Sequence, residues 1–223
     1  MPPPSAPAGE PAGPAPAALP TTERGRRMRA RLLAAAREVF ERDGFLEARV
    51  TDISAAAGVA HGSFYTYFGS KTAVFRALVA ETMDDLYASM GTGESGPPDG
   101  SPEEVAVHRI DAANRRFVAM YLQNTALMAL FEQVTTFDPE VRALRQAARE
   151  RNVGRVRHSI EQLQRDGLVA ADLDAEYSAH ALVAMVNGLV HYWLVLDGEF
   201  EEERLVAAVT RLWAQALGLP VRG

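Results

Sequence analysis

The chain has 223 residues, 48% of them apolar, and no cysteine, so it can bury a sizeable core but has no disulfides, thiolate nucleophiles or cysteine-based metal sites. No apolar run approaches the ~18 residues that span a bilayer, and the expectation is a soluble, cytoplasmic protein with no membrane partner. The net charge of −6 looks wrong for a nucleic-acid binder only as an average: residues 24–76 carry ten Lys+Arg against five Asp+Glu, and residues 77–223 carry 13 against 22. A basic first segment ahead of an acidic remainder suits a chain that meets phosphate at one end.

Residues 1–20, MPPPSAPAGEPAGPAPAALP, hold eight of the thirteen prolines and no basic residue. They lack the charged start and apolar stretch of a secretory signal and are expected to form a disordered Pro/Ala-rich tail. Leu32, Leu33, Ala36, Val39 and Phe40 then recur at helical period, predicting an amphipathic helix over about Thr22–Arg42 that Asp43-Gly44 ends. A short helix is expected over about 50–57, with Ile53 and Ala57 inward, and another over about 60–68 after Gly58. Ser70 reads as the cap of a longer helix reaching about Met90, and GTGESGPPDGS at 91–101 as a loop.

Helices follow at roughly 102–122, 125–133, 139–166, 173–197 and 202–217. Asp138-Pro139 is a start signal with proline at the first helical position, and Asp166-Gly167 and Asp197-Gly198 are stops. No alternating strand pattern occurs. The expected architecture is all-α, about nine helices, with a three-helix unit over 21–70 ahead of a helical bundle over 71–223.

Residues 58–71, GVAHGSFYTYFGSK, spend three glycines and four aromatic rings on fourteen residues. Two short helices joined by a glycine turn and preceded by a longer one match a helix-turn-helix, whose second helix enters the DNA major groove. Gly58 supplies the positive φ of the tight turn, and Gly62 lets backbone approach the duplex. Phe64 and Phe68, four apart, are expected to pack inward against Phe40 and Ile53. His61, Ser63, Tyr65, Thr66 and Tyr67 are left on the outer face, where hydroxyls and an imidazole can meet phosphates or base edges.

This stretch resembles the signature of TetR/AcrR-type one-component transcriptional regulators: Gly-Val, two residues, Gly, two residues, Tyr, any residue, Tyr-Phe, two residues, Lys. The flanks ERDGF and VTDISAAAG fit as well, and the close match covers residues 24–76. The resemblance implies that His61 and Ser63 read bases or adjacent phosphates, that Tyr65 and Tyr67 hydrogen-bond the DNA backbone, and that Lys71, the chain's only lysine, contacts a phosphate. It also places Thr51 near the DNA. The family's usual threonine cap at position 49 is replaced by Arg49, so the cap is expected to shift, with Thr51 the candidate, or Arg49 reaches a phosphate instead. Of the arginines opening the first helix, Arg26 and Arg27 are candidates for a phosphate or minor-groove contact, the alternative being a solvated face.

A reading unit of ~50 residues binds weakly alone, so a homodimer with two reading helices roughly 34–36 Å apart is expected on a double-stranded operator. Ala181, Ala184, Gly188, His191 and Val195 form a small-residue stripe on the penultimate helix. With Leu205, Val209 and Leu212 of the last helix they are the candidate dimer surface, the alternative being intramolecular core. Phe117, Met120, Tyr121, Asn124, Met128, Phe131 and Asn187 are the candidate lining of the effector pocket that the resemblance implies, although a filled core has the same composition. The small-molecule effector is expected to be apolar or amphipathic, with Arg115 and Arg116 leaving an anionic one open. The five histidines are scattered, no HExxH or phosphate loop occurs, and no metal, cofactor or enzymatic role is expected. The reading is a sequence-specific DNA-binding regulator, a repressor released by ligand from a palindromic operator. The alternative is a helical ligand-binding protein or enzyme with a vestigial DNA motif.

Overall fold

The computed structural model describes residues 20–91, 100–195 and 199–220, and the side chains of 86–91 and 194–195 are also outside it. The expected tail up to residue 19, most of the 91–101 loop and the Asp197-Gly198 stop therefore lie outside the described residues. Among those residues there are nine helices and no strand: α1 Glu23–Glu47, α2 Val50–Ala56, α3 His61–Tyr67, α4 Lys71–Gly91, α5 Pro102–Gln123, α6 Thr125–Thr135, α7 Pro139–Arg165, α8 Ala175–Val195 and α9 Glu202–Ala216. The chain divides into two units on either side of Val79–Ala80.

In the first unit, Thr22 caps α1 by accepting from the Gly25 amide at 3.1 Å. Gly44 sits at φ 76°, a left-handed conformation that breaks the regular ladder. The glycine at which the sequence stops α1 is thus a kink, and the helix runs one further turn. Leu32, Leu33, Ala36, Val39 and Phe40 are all buried, with Ile53, Ala57, Phe64 and Phe68. Phe75 of α4 closes edge-on against Phe40 and Phe45, at 5.2 and 5.0 Å between ring centroids. The first turns of α4 therefore belong to this core, beyond the 70/71 boundary that composition suggests.

The second unit, from Ala80 on, holds the rest of α4 and α5 to α9, with α7 packed on α8 and α5 on α9. Its helix ends follow the sequence signals. Ser101 and Glu104 form a reciprocal capping box with Pro102 at the first helical position. Asp138 accepts from the Glu140 and Val141 amides. Gly167, at φ 73°, ends α7 in a paired turn in which the Leu168 amide donates to Leu163 and the Gly167 amide to Gln164. The buried core beneath includes Val153, Ile160, Ala179, Leu182 and Val183. No helix among the described residues is long and apolar enough to cross a membrane.

Candidate nucleic-acid interface and bundle cavity

The turn between α2 and α3 is built from backbone. Gly58 adopts φ 64°, its amide donates to Ala55, and the Val59 amide donates to Ser54. Arg31 reaches across from α1 and donates through Nη2 to the Ala57 carbonyl at 2.6 Å, satisfying an acceptor that the end of α2 leaves open. On α3, Phe64 and Phe68 point inward, 5.8 Å apart, with the Arg29 guanidinium 5.4 Å from the Phe68 ring. The remaining side chains face out: His61, Gly62, Tyr65 and Thr66 are exposed, and Ser63 and Tyr67 half-buried. The His61 and Tyr65 rings meet edge-on at 5.3 Å, one turn apart.

Gly62 is a helical glycine with no fold-level reason for its identity. Its φ is ordinary, and a Cβ built on it would meet nothing within 4 Å. Arg49 is the N-cap of α2 in extended geometry, with no side-chain cap bond. Thr51 does not take over that cap: its hydroxyl lies 3.5 Å from Asp52 Oδ1, so the expected shift does not occur. Asp52, in the first turn, gives the helix end favourable charge instead. The Arg49 side chain is exposed and has no hydrogen bond or ion pair among the described residues.

Lys71 has a contact within the fold that the sequence did not indicate. Its Nζ donates to the Leu46 and Ala48 carbonyls, each at 2.9 Å, and lies 4.9 Å from the Phe45 ring centroid. Carbonyls freed where α1 kinks and ends need donors, and Lys71, four residues beyond the end of α3, supplies them. Its ammonium thus ties α4 to the end of α1. Arg26 and Arg27 both pair with Glu23, at 2.9 and 3.7 Å, and Arg26 also donates to the Thr21 carbonyl. These pairs are solvent-exposed and hold the arginines only weakly.

In the second unit a cavity of about 630 Å³ opens among α5, α7, α8 and α9. Of the expected lining, Phe117 and Asn187 face it, whereas Met120, Tyr121, Asn124, Met128 and Phe131 do not. Met128 is 1% exposed and Met120 and Phe131 are core, so the soft, aromatic composition marks a filled interior there. Tyr121 packs on the Phe117 ring at 4.9 Å. Asn124 donates to the Met120 carbonyl and joins α5 to α6. Arg115 is held outside the cavity by Asp111 and Glu203, tying α5 to α9; Arg116 lines it, joined by Arg109, Asn114 and, from α7, Asn152 and Arg155. Asn114 carried a legible signal, since it interrupts the apolar stripe Ala106, Ile110, Phe117. The residues from α7 carried none.

On the candidate dimer surface Leu205 and Val209 are buried inside the protomer, a correction to the expectation, because α9 turns that side onto α5. Leu212 is 52% exposed, Ala181, Ala184 and Gly188 are exposed, and His191 is half-buried. The side chain of Val195 lies outside the described residues. No group of three or more metal-ligating side chains gathers among the described residues.

A helix-turn-helix unit ahead of a helical unit with a cavity is an arrangement that suits a DNA-binding regulator. Residues 32–78 match the family model "Bacterial regulatory proteins, tetR family", and residues 123–218 match "BetI-type transcriptional repressor, C-terminal". The chain belongs to the TetR family of transcriptional regulators. It is 29% identical over 184 residues to the HTH-type transcriptional regulator TtgR of Pseudomonas putida, covering 79% of this chain and 84% of that one. It is 24% identical over 168 residues to the HTH-type transcriptional repressor BepR of Brucella suis biovar 1, covering 73% and 78%. A TetR-family transcriptional regulator from Syntrophomonas wolfei shares the fold, with TM-score 0.71 at 20% identity over 89% of this chain and 99% of that one. These relatives are transcriptional regulators and not enzymes.

Proposed function

We propose that this regulator is a cytoplasmic repressor that binds a palindromic operator as a homodimer and leaves it when a small molecule enters the bundle cavity. The observation that carries the DNA-binding part is the outer face of α3, where Gly62 has no fold-level reason for its identity and His61, Tyr65 and Thr66 are exposed beside half-buried Ser63 and Tyr67. Ser63 and His61, near the start of α3, are the candidate base readers, and Tyr65, Thr66 and Tyr67 the candidate backbone contacts. Thr51 and Arg49 on α2 extend the contact, and Arg26 and Arg27 exchange Glu23 for phosphate. Lys71 acts indirectly, by holding α4 against the end of α1.

The homodimer reading rests on the exposed stripe Ala181, Ala184, Gly188 of α8, small enough for close helix approach, and on exposed Leu212 of α9. Repression is supported by the printed descriptions of the C-terminal family model and of BepR. The release step runs along α4, whose residues 71–79 belong to the first unit and 80–91 to the second. A ligand that prefers one setting of that helix shifts the spacing of the two reading helices. Light scattering with and without operator fragments selected from genomic DNA tests the reading. A dimer on a two-fold symmetric consensus is expected, and a monomer that selects no sequence at low salt overturns it.

A further inference from the structure

The orientation of one buried amide says what the cavity accepts. Asn114 is 3% exposed, set in the apolar stripe of α5. Its Nδ2 donates to Thr210 Oγ1 at 3.1 Å, and the Thr210 hydroxyl donates onward to Asp111 Oδ1 at a longer 3.4 Å. Asp111 is ion-paired with Arg115, whose Nε lies 2.7 Å from Oδ2 and whose Nη1 lies 2.8 Å from both Glu203 oxygens. A carboxylate so paired accepts and does not donate, so the Thr210 hydrogen points to Asp111 and its lone pairs to Asn114. Asn114 must then present its NH₂ to Thr210, which fixes the amide and leaves Oδ1 over. Among the described residues Oδ1 accepts no hydrogen bond, yet no fully buried side-chain oxygen lacks a partner. Oδ1 therefore opens into the cavity that Asn114 lines.

The cavity lining around that acceptor holds more guanidinium than carboxylate groups, Arg116 and Arg155 each already having a partner. Arg109 and Arg116 stand seven residues apart on α5, two turns or roughly 10 Å along the axis, and Arg155 faces them from α7. Against three guanidinium groups the lining carries one carboxylate, Asp166. The rest of the wall is largely apolar, with Ile110, Phe117, Ile160, Val186 and Trp213 among it. An excess of guanidinium over carboxylate disfavours a quaternary ammonium despite the two aromatic rings that would attract one, and guanidinium groups beside an apolar wall suit an oxyanion on an apolar body. A volume near 630 Å³ is that of a drug-sized ligand site.

We propose that the cavity takes an elongated amphipathic carboxylate whose head meets Arg109, Arg116 and Arg155 and which offers a hydroxyl or N–H donor to Asn114 Oδ1. This rests on the effector reading above and names the class of ligand. Calorimetry on the full chain, below the micellar range, compares dodecanoate, 3-hydroxydodecanoate and dodecyltrimethylammonium, with operator binding measured alongside. Dodecanoate is expected to bind at least about tenfold tighter than the ammonium, as charge-assisted bonds require. The R109Q/R155Q double variant should lose that preference. The 3-hydroxy acid should gain about threefold or more over dodecanoate, and Asn114→Ala should abolish the gain. If Asn114→Ala does not fold, the wild-type comparison of the two acids still decides the point. An ammonium that binds as well as the acid, or a hydroxyl that gains nothing, overturns the proposal and leaves the effector reading standing. Failure of all three probes with operator binding intact overturns both.

Discussion

Gly62→Ala separates a residue kept for folding from one kept for what it touches. At this position φ is ordinary and a Cβ meets no atom within 4 Å, so the folded protomer accommodates alanine without strain. Alanine also removes backbone freedom from the unfolded chain and favours the helix by about 0.5–1 kcal/mol, less this near the helix start. A gain of about 0.5 kcal/mol raises Tm by roughly 2–4 °C for a cooperative unit of this size. At a duplex surface the same methyl intrudes where backbone must approach, and overpacking of that kind costs about 1–3 kcal/mol per contact. With two copies on one operator, affinity should fall at least about thirtyfold. Thermal melting and fluorescence anisotropy on a labelled operator read the two effects separately. A stabilised protein with undiminished operator affinity would show that α3 does not lie against DNA at Gly62, and the docking argument would fail.

Gly58→Ala should behave in the opposite way: φ 64° and an Arg31 Nη2 only 3.2 Å from the new Cβ predict a stability loss of about 1–2 kcal/mol, read by denaturant unfolding. Lys71→Ala should lower stability by about 1–2 kcal/mol through the two abandoned carbonyls, and an unchanged melting curve would return the lysine to a purely DNA-facing role. Ser63→Ala should alter the consensus recovered in site selection more than the affinity for nonspecific DNA, and an identical consensus would remove it from base reading. Leu212→Glu, at a 52% exposed position, should leave the fold intact and shift the oligomeric state toward monomer in sedimentation. An unshifted dimer would put the interface elsewhere.

Helix placement was legible because its signals are local. The stripe from Leu32 to Phe40, the Asp138-Pro139 start and the Gly167 stop act within a turn or two of chain, so periodicity and capping chemistry located α1 and α7 closely. The outer face of α3 was legible for the same reason, since seven residues at helical spacing assign Phe64 inward and Tyr65 outward without a partner. Gly44 misled only in degree, because a left-handed residue breaks the ladder but does not forbid a further turn.

What required tertiary structure was every choice between two equally apolar surroundings. Met128 and Phe131 have the composition of a pocket wall and are core, and Leu205 and Val209 look like a dimer face and pack on their own chain. That Lys71 also holds two carbonyls, 23 and 25 residues away, depends on how α4 meets the end of α1. The cavity's polar acceptor depends on a hydrogen bond across 96 residues, from Asn114 to Thr210. Sequence periodicity reports which side of a helix avoids water. Only the packed neighbours determine whether that side meets side chains, a void or a second molecule.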